Sequence, residues 1–172
     1  MEEGGGGKSI AAAKPATSPL IHPVIEPLAY LLGKWTGEGE GDFPTINSFR
    51  YGEELTFTHS GKPAIAYTQK TWKLNSGEPM HAESGYWRPK PDGSIEVVIS
   101  HINGLVEVQK GTYDANDKVI NLKSSLVGNA SKVNAITRDF KMINGNLTYV
   151  VQMSTNHTPN IQQHLKAVLS KL

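Results

Sequence analysis

Beyond about residue 48 the chain is a succession of short runs in which large apolar and polar side chains alternate. Phe49 to His59 alternates and stops at Ser60-Gly61-Lys62-Pro63. Ala64 to Leu74 follows and ends at Asn75-Ser76-Gly77. Met80 to Arg88 closes on Pro89-Lys90-Pro91-Asp92-Gly93, and Ser94 to Ile102 turns at Asn103-Gly104. Leu105 to Tyr113, Lys118 to Val127, Val133 to Ile143 and Leu147 to Ser154 continue the series, with a further Asn-Gly pair at Asn144-Gly145. A period of two places alternate side chains on opposite faces, which is the strand pattern. Asn-Gly between two such runs is a strong hairpin signal, because both residues tolerate positive φ. Regular spacing and tight turns predict an antiparallel meander.

Ahead of this series stands Leu32 to Ile46, in which Gly33, Trp35, Gly37, Gly39 and Gly41 all occupy odd positions. On a strand they share one face, so that face is bare apart from Trp35. Such a row predicts close approach of another backbone, a bend or a flat ligand. Pro44 then ends regular pairing. Pro27 to Leu32 suits a short helical turn plugging one end of the fold. Residues 1–20 are rich in Gly, Ala, Ser and Pro, and a disordered tail is expected there. Residues 21–172 form the expected domain.

No long amphipathic helix is visible to cover a sheet of about ten strands, and such a sheet removes its edges most economically by closing. The predicted fold is therefore all-β, an antiparallel up-and-down barrel of about ten strands with an internal ligand cavity, in the manner of lipocalins and fatty-acid-binding proteins. Lys+Arg is 17 against Asp+Glu 16, a formal net charge of +1. That balance points to neither a nucleic-acid nor a membrane partner. With no cysteine, disulfides, iron–sulfur clusters and thiolate metal ligation are excluded. No apolar run reaches the roughly 20 residues of a membrane span, and the start lacks the parts of a signal peptide. A soluble, cytoplasmic protein, monomeric or homodimeric, is expected.

Gly33-x-Trp35-x-Gly37-x-Gly39, followed by Phe43-Pro44-Thr45-Ile46, resembles the signature of the nitrobindins, a family of haem-binding β-barrels. The resemblance continues through Gly61-Lys62-Pro63, Tyr67-Thr68-Gln69, His81 to Tyr86 and Gln163-His164-Leu165. It implies a barrel of the same kind, one b-type haem per chain, nitric oxide binding, and isomerisation of peroxynitrite to nitrate at ferric iron. It implies His164 as the axial iron ligand, Thr45 as a residue approaching the haem, and Lys132 as a lysine near a propionate. Lys132 also reads as an ordinary turn lysine. The absence of cysteine excludes the zinc-dependent DNA-binding domain that some nitrobindin relatives carry. For the last stretch, Leu165, Val168, Leu169 and Leu172 suit a helical stripe. The resemblance implies a strand that closes the barrel, and that is the reading taken.

Haem without thiolate ligation calls for a neutral imidazole. His22, His59 and His157 lie in a lead-in segment, beside a turn and in a polar loop, and read as surface histidines. His101 shares a face with Ile95, Val97 and Ile99, His81 with Glu83, Gly85 and Trp87, and Met153 with Leu147, Tyr149 and Val151. All three point to one cavity. For His81 and His101 a hydrogen-bonded pocket histidine is the plainer role, with His101 also a possible sixth iron ligand, and for Met153 core filling is the plainer role. Glu38, Glu40 and Asp42 fall on the face opposite the glycines, in solvent. A second class of function also fits such a barrel, a non-catalytic carrier of a fatty acid or other apolar molecule. A purely structural barrel fits less well with the histidines.

Overall fold

A computed structural model describes residues 10–14 and 19–172. Most of the expected disordered tail lies outside the described residues. A short 3-10 helix, Glu26–Leu31, precedes ten strands. These are β1 (Gly33–Phe43), β2 (Ile46–Thr58), β3 (Ile65–Lys73), β4 (Pro79–Pro89), β5 (Ser94–His101), β6 (Val106–Asp114), β7 (Val119–Gly128), β8 (Val133–Ile143), β9 (Asn146–Thr155) and β10 (Gln162–Lys171). Each pairs antiparallel with its sequence neighbours, and β10 pairs with β1 to close the barrel. The carboxyl end is thus a strand, as the resemblance implies. Its inward residues Ala167 and Leu169 are buried while Lys166, Val168 and Ser170 are exposed, a period of two that closure imposes over the helical reading. Among the described residues no helix is long and apolar enough to cross a membrane.

The two ends of the barrel differ. Pro27 at the start of the 3-10 helix needs no amide partner, and Leu28 and Leu31 are fully buried in the barrel end. The Trp35 indole donates to the Leu31 carbonyl at 2.8 Å, pinning this plug to β1. Phe57, Tyr67, Trp87 and Phe140 pack above it as a connected aromatic group, with ring centroids 5.1–5.8 Å apart. The opposite end, where β1 leaves and β2 enters, is open.

The two Asn-Gly hairpins differ from each other. Asn144 and Gly145 both take positive φ, 50° and 81°, as a two-residue primed turn needs. At Asn103-Gly104 only Gly104 does, at 91°. There the His101 amide donates to the Leu105 carbonyl and the Gly104 amide to the His101 carbonyl, a three-residue loop with glycine in the left-handed position.

The glycine face of β1 is inward but not bare. A Cβ on Gly39 would stand 2.3 Å from Tyr51 Cζ, and one on Gly41 2.1 Å from Phe49 Cζ. The flat groups lying against these glycines are side chains of β2, which hydrogen-bonds to β1. The expectation of a wall left clear for a ligand is corrected accordingly. Glu38, Glu40 and Asp42 are exposed, and Glu38 and Glu40 pair with Arg50 and Lys166 across the outer surface.

Candidate functional site

The open end leads to a cavity of about 350 Å³, within the usual range of ligand sites, roughly 300–1,000 Å³. Phe49, Leu105, Val133, Ile136, Val151, Met153 and Leu165 supply apolar lining, and His81, His101 and His164 face the same space. Four of the six expected contact residues are therefore brought together: His164, His81, His101 and Met153. Thr45 and Lys132 are not in the wall. Both are exposed in rim loops, Thr45 just after Phe43 and Lys132 just before cavity-lining Val133. Gly37 and Gly39 lie in β1 behind the wall, and Gly33 and Trp35 lie at the plugged end, where the Trp35 indole meets the Leu31 carbonyl. His22 and His157 stay outside the cavity.

His164 reaches the cavity by a local irregularity. Leu165, Ala167 and Leu169 are the inward residues of β10, so strict alternation would turn His164 outward. The pairing with β9 shifts between Gln163 and Leu165. This bulge re-aims one side chain, and both His164 and Leu165 face the cavity. His164 Nδ1 lies 3.1 Å from the Asp42 carbonyl. A carbonyl only accepts, so Nδ1 carries the proton and Nε2 keeps its lone pair. Phe43 meets the imidazole edge-on, with centroids 5.7 Å apart and planes at 80°. Burial pulls the imidazole below its ordinary pKa of 6.5, against the opposing pull of Asp42. The ring is thus neutral at pH 7, oriented, and has a free donor nitrogen. That is the state an axial haem ligand requires, so these residues fit the group.

The cavity floor is a belt of polar side chains inside the barrel. Arg138 donates to Glu83 Oε2 at 2.9 Å through Nη1, and to Glu107 at 3.1 Å through Nε and 2.5 Å through Nη2. Tyr67 donates to Glu83 at 3.0 Å and Gln109 to Glu107 at 2.8 Å. Burial is the largest influence and pushes both carboxyls up, but Arg138 together with the histidine contacts outweighs it and holds each below its usual value. Glu53 accepts from Tyr149 at 2.8 Å and Gln69 at 2.5 Å and, among the described residues, makes no ion pair; burial raises its pKa to about 7, against the smaller opposing pull of those donors and of Arg138. His101 uses both ring nitrogens, Nε2 towards Glu107 and Nδ1 at 3.1 Å from His81 Nε2. Its Nδ1 would reach an iron only by giving up the contact with His81. Glu53, Gln69, Glu107, Gln109 and Arg138 were not singled out by pattern. Each occupies an inward position of its strand, so parity alone could have marked them.

The THAP4-like, heme-binding beta-barrel domain model matches residues 24–171. The chain belongs to this family. Haem is the cofactor expected of its members. The chain is 66% identical over 158 residues to a peroxynitrite isomerase of Arabidopsis thaliana, covering 92% of this chain and 95% of that protein. It is 42% identical over 157 residues to peroxynitrite isomerase 2 of Mycobacterium marinum, covering 88% and 96%. Among solved structures, Rv2717c from M. tuberculosis superposes with a TM-score of 0.80 at 38% identity, over 88% of this chain and 99% of that one. This barrel is thus a haem-binding β-barrel of the nitrobindin kind.

Proposed function

We propose that this protein is a haem-dependent peroxynitrite isomerase that also binds nitric oxide, with His164 as the axial ligand. The observation that carries the reading is the His164 imidazole with Nδ1 tied to the Asp42 carbonyl and Nε2 free. The names of the two relatives support the reaction. Bound haem supplies a Lewis-acidic iron, and an isomerisation exchanges no net electrons, so no external reductant is needed.

The chain's own groups do the rest. The Asp42 carbonyl fixes the tautomer of His164, and Phe43 holds the ring plane. Val151, Met153, Ile136 and Leu165 keep water away from the reacting face. His81, exposed to the cavity, supplies a polar group to a small anion on the facing wall. Lys132 at the rim suits a propionate, and Thr45 a polar contact beside it. The small-molecule partners are then peroxynitrite and nitric oxide, met in the cytoplasm. The tail and barrel division at residues 20 and 21 agrees with the family match beginning at residue 24.

A fatty-acid carrier is supported less well. Among the described residues the one cation lining the cavity, Arg138, is already matched by two carboxylates, which leaves no buried positive charge for the carboxylate of an internalised fatty acid. The full chain with hemin should show a Soret band, a shift of that band with nitric oxide, and conversion of peroxynitrite to nitrate in excess of nitrite. His164→Ala should lose most of the band and the conversion. A band unchanged in that variant removes His164 from the iron.

A further inference from the structure

β4 and β5 stand on the far side of the barrel from β10, so His81, Glu83 and His101 face His164 across the cavity. Three of their donor atoms form a nearly regular triangle. His81 Nε2 lies 3.1 Å from His101 Nδ1 and 3.2 Å from Glu83 Oε1, and His101 Nδ1 lies 3.7 Å from the same Oε1. We propose that this triangle is a binding site for a divalent transition cation of the zinc class, distinct from the His164 position, with its remaining coordination position open to the cavity.

The geometry suits such an ion. Zinc binds imidazole nitrogen and carboxylate oxygen at about 2.0–2.2 Å, and tetrahedral coordination at that length separates ligand atoms by roughly 3.3–3.6 Å. Two imidazoles with one carboxylate is also a donor set that divalent transition ions favour. Without a cation, a proton on His81 Nε2 is shared between His101 Nδ1 and Glu83 Oε1, whereas a cation above the triangle engages all three donor atoms.

The surroundings already orient the donors. His101 presents its other nitrogen to Glu107, an arrangement of carboxylate, histidine and metal position that fixes a ligating ring. Glu83 Oε2 is held by Arg138 at 2.9 Å and Tyr67 at 3.0 Å, while Oε1, which Arg138 Nη2 reaches only at 3.5 Å, faces the triangle. Charge favours a cation as well. Arg138 supplies one positive charge against Glu83 and Glu107, and an unbalanced buried carboxylate is costly.

The inference stands on this wall alone and not on the haem reading. Tag-free full chain, stripped with a chelator, is titrated with Co²⁺ both without and with hemin. The expected result is visible d–d absorption saturating at one equivalent in the haem-free chain, bleached by Zn²⁺. His81→Gln and His101→Gln should each abolish it, and His164→Ala should retain it. Glu107→Gln, which keeps the shape but not the charge, should weaken binding by about 10–100-fold. Zn²⁺ should also raise the unfolding midpoint of the parent chain, with no shift in folded His101→Gln. Absence of the d–d bands overturns the proposal, as does their survival in His101→Gln or their loss in His164→Ala. With hemin bound, retention of one Co²⁺ equivalent shows that both positions fill together. Its loss overturns the claim that the two are distinct.

Discussion

Glu53 is buried completely, and among the described residues it has no ion-pair partner. Its Oε1 makes no hydrogen bond. Burial raises its pKa from 4.5 to about 7, so the folded protein holds a proton there that the unfolded chain releases near pH 4.5. The stabilising effect of that proton is complete below pH 4.5 and is lost as pH rises through 7. The loss is on the order of 3 kcal/mol. Glu53→Gln keeps an acceptor for Tyr149 and removes the charge. Urea unfolding should therefore show the parent chain losing stability between pH 5 and pH 8 relative to this variant. Parallel pH profiles for the two would refute the assignment. Glu83 and Glu107 act in the opposite direction. Their depressed pKa values give stability that is present at neutral pH and is lost in acid.

At the scale of elements, the strands and most turns are legible because burial alternates along the paired strands. The bulge in β10 is not. Nothing in Gln162-Gln163-His164-Leu165 signals that one residue goes unpaired, and Leu165, Val168, Leu169 and Leu172 satisfy a helical stripe equally well. The polar belt is hidden for another reason. A single Arg138 or Glu107 between apolar neighbours is noticed only once strand parity is assigned, and its partners lie on other strands. Deleting Gln163 should restore alternation and turn the histidine outward. The far-ultraviolet spectrum should stay that of the barrel, while hemin titration should lose the Soret band. On β1, Gly41→Ala places a methyl against the Phe49 ring. Overpacking of this kind should lower stability by about 1–3 kcal/mol in urea unfolding. An unchanged midpoint would show that the ring swings away freely.

For the whole molecule, the division of labour is axial. One end is an apolar plug and the other a polar-floored cavity, with Arg138 and its carboxylates between them. Leu28, fully buried in the plug, should therefore affect stability without affecting the site. Leu28→Ala should cost about 2–5 kcal/mol in unfolding free energy while leaving hemin affinity within about twofold, as read by Soret titration. A large loss of affinity would mean that plug and cavity are coupled through the aromatic core.

Closure between the first and last strands also sets an order of events. The Asp42 carbonyl and the imidazole it holds are 122 residues apart in sequence, and β10 is the final element. While a chain is still emerging from the ribosome, the glycine strand has no neighbour on that side until residues 162–171 have been made. The seam, and the carbonyl–imidazole contact made across it, therefore form only once β10 has been synthesised, and a chain cut before Gln162 has neither.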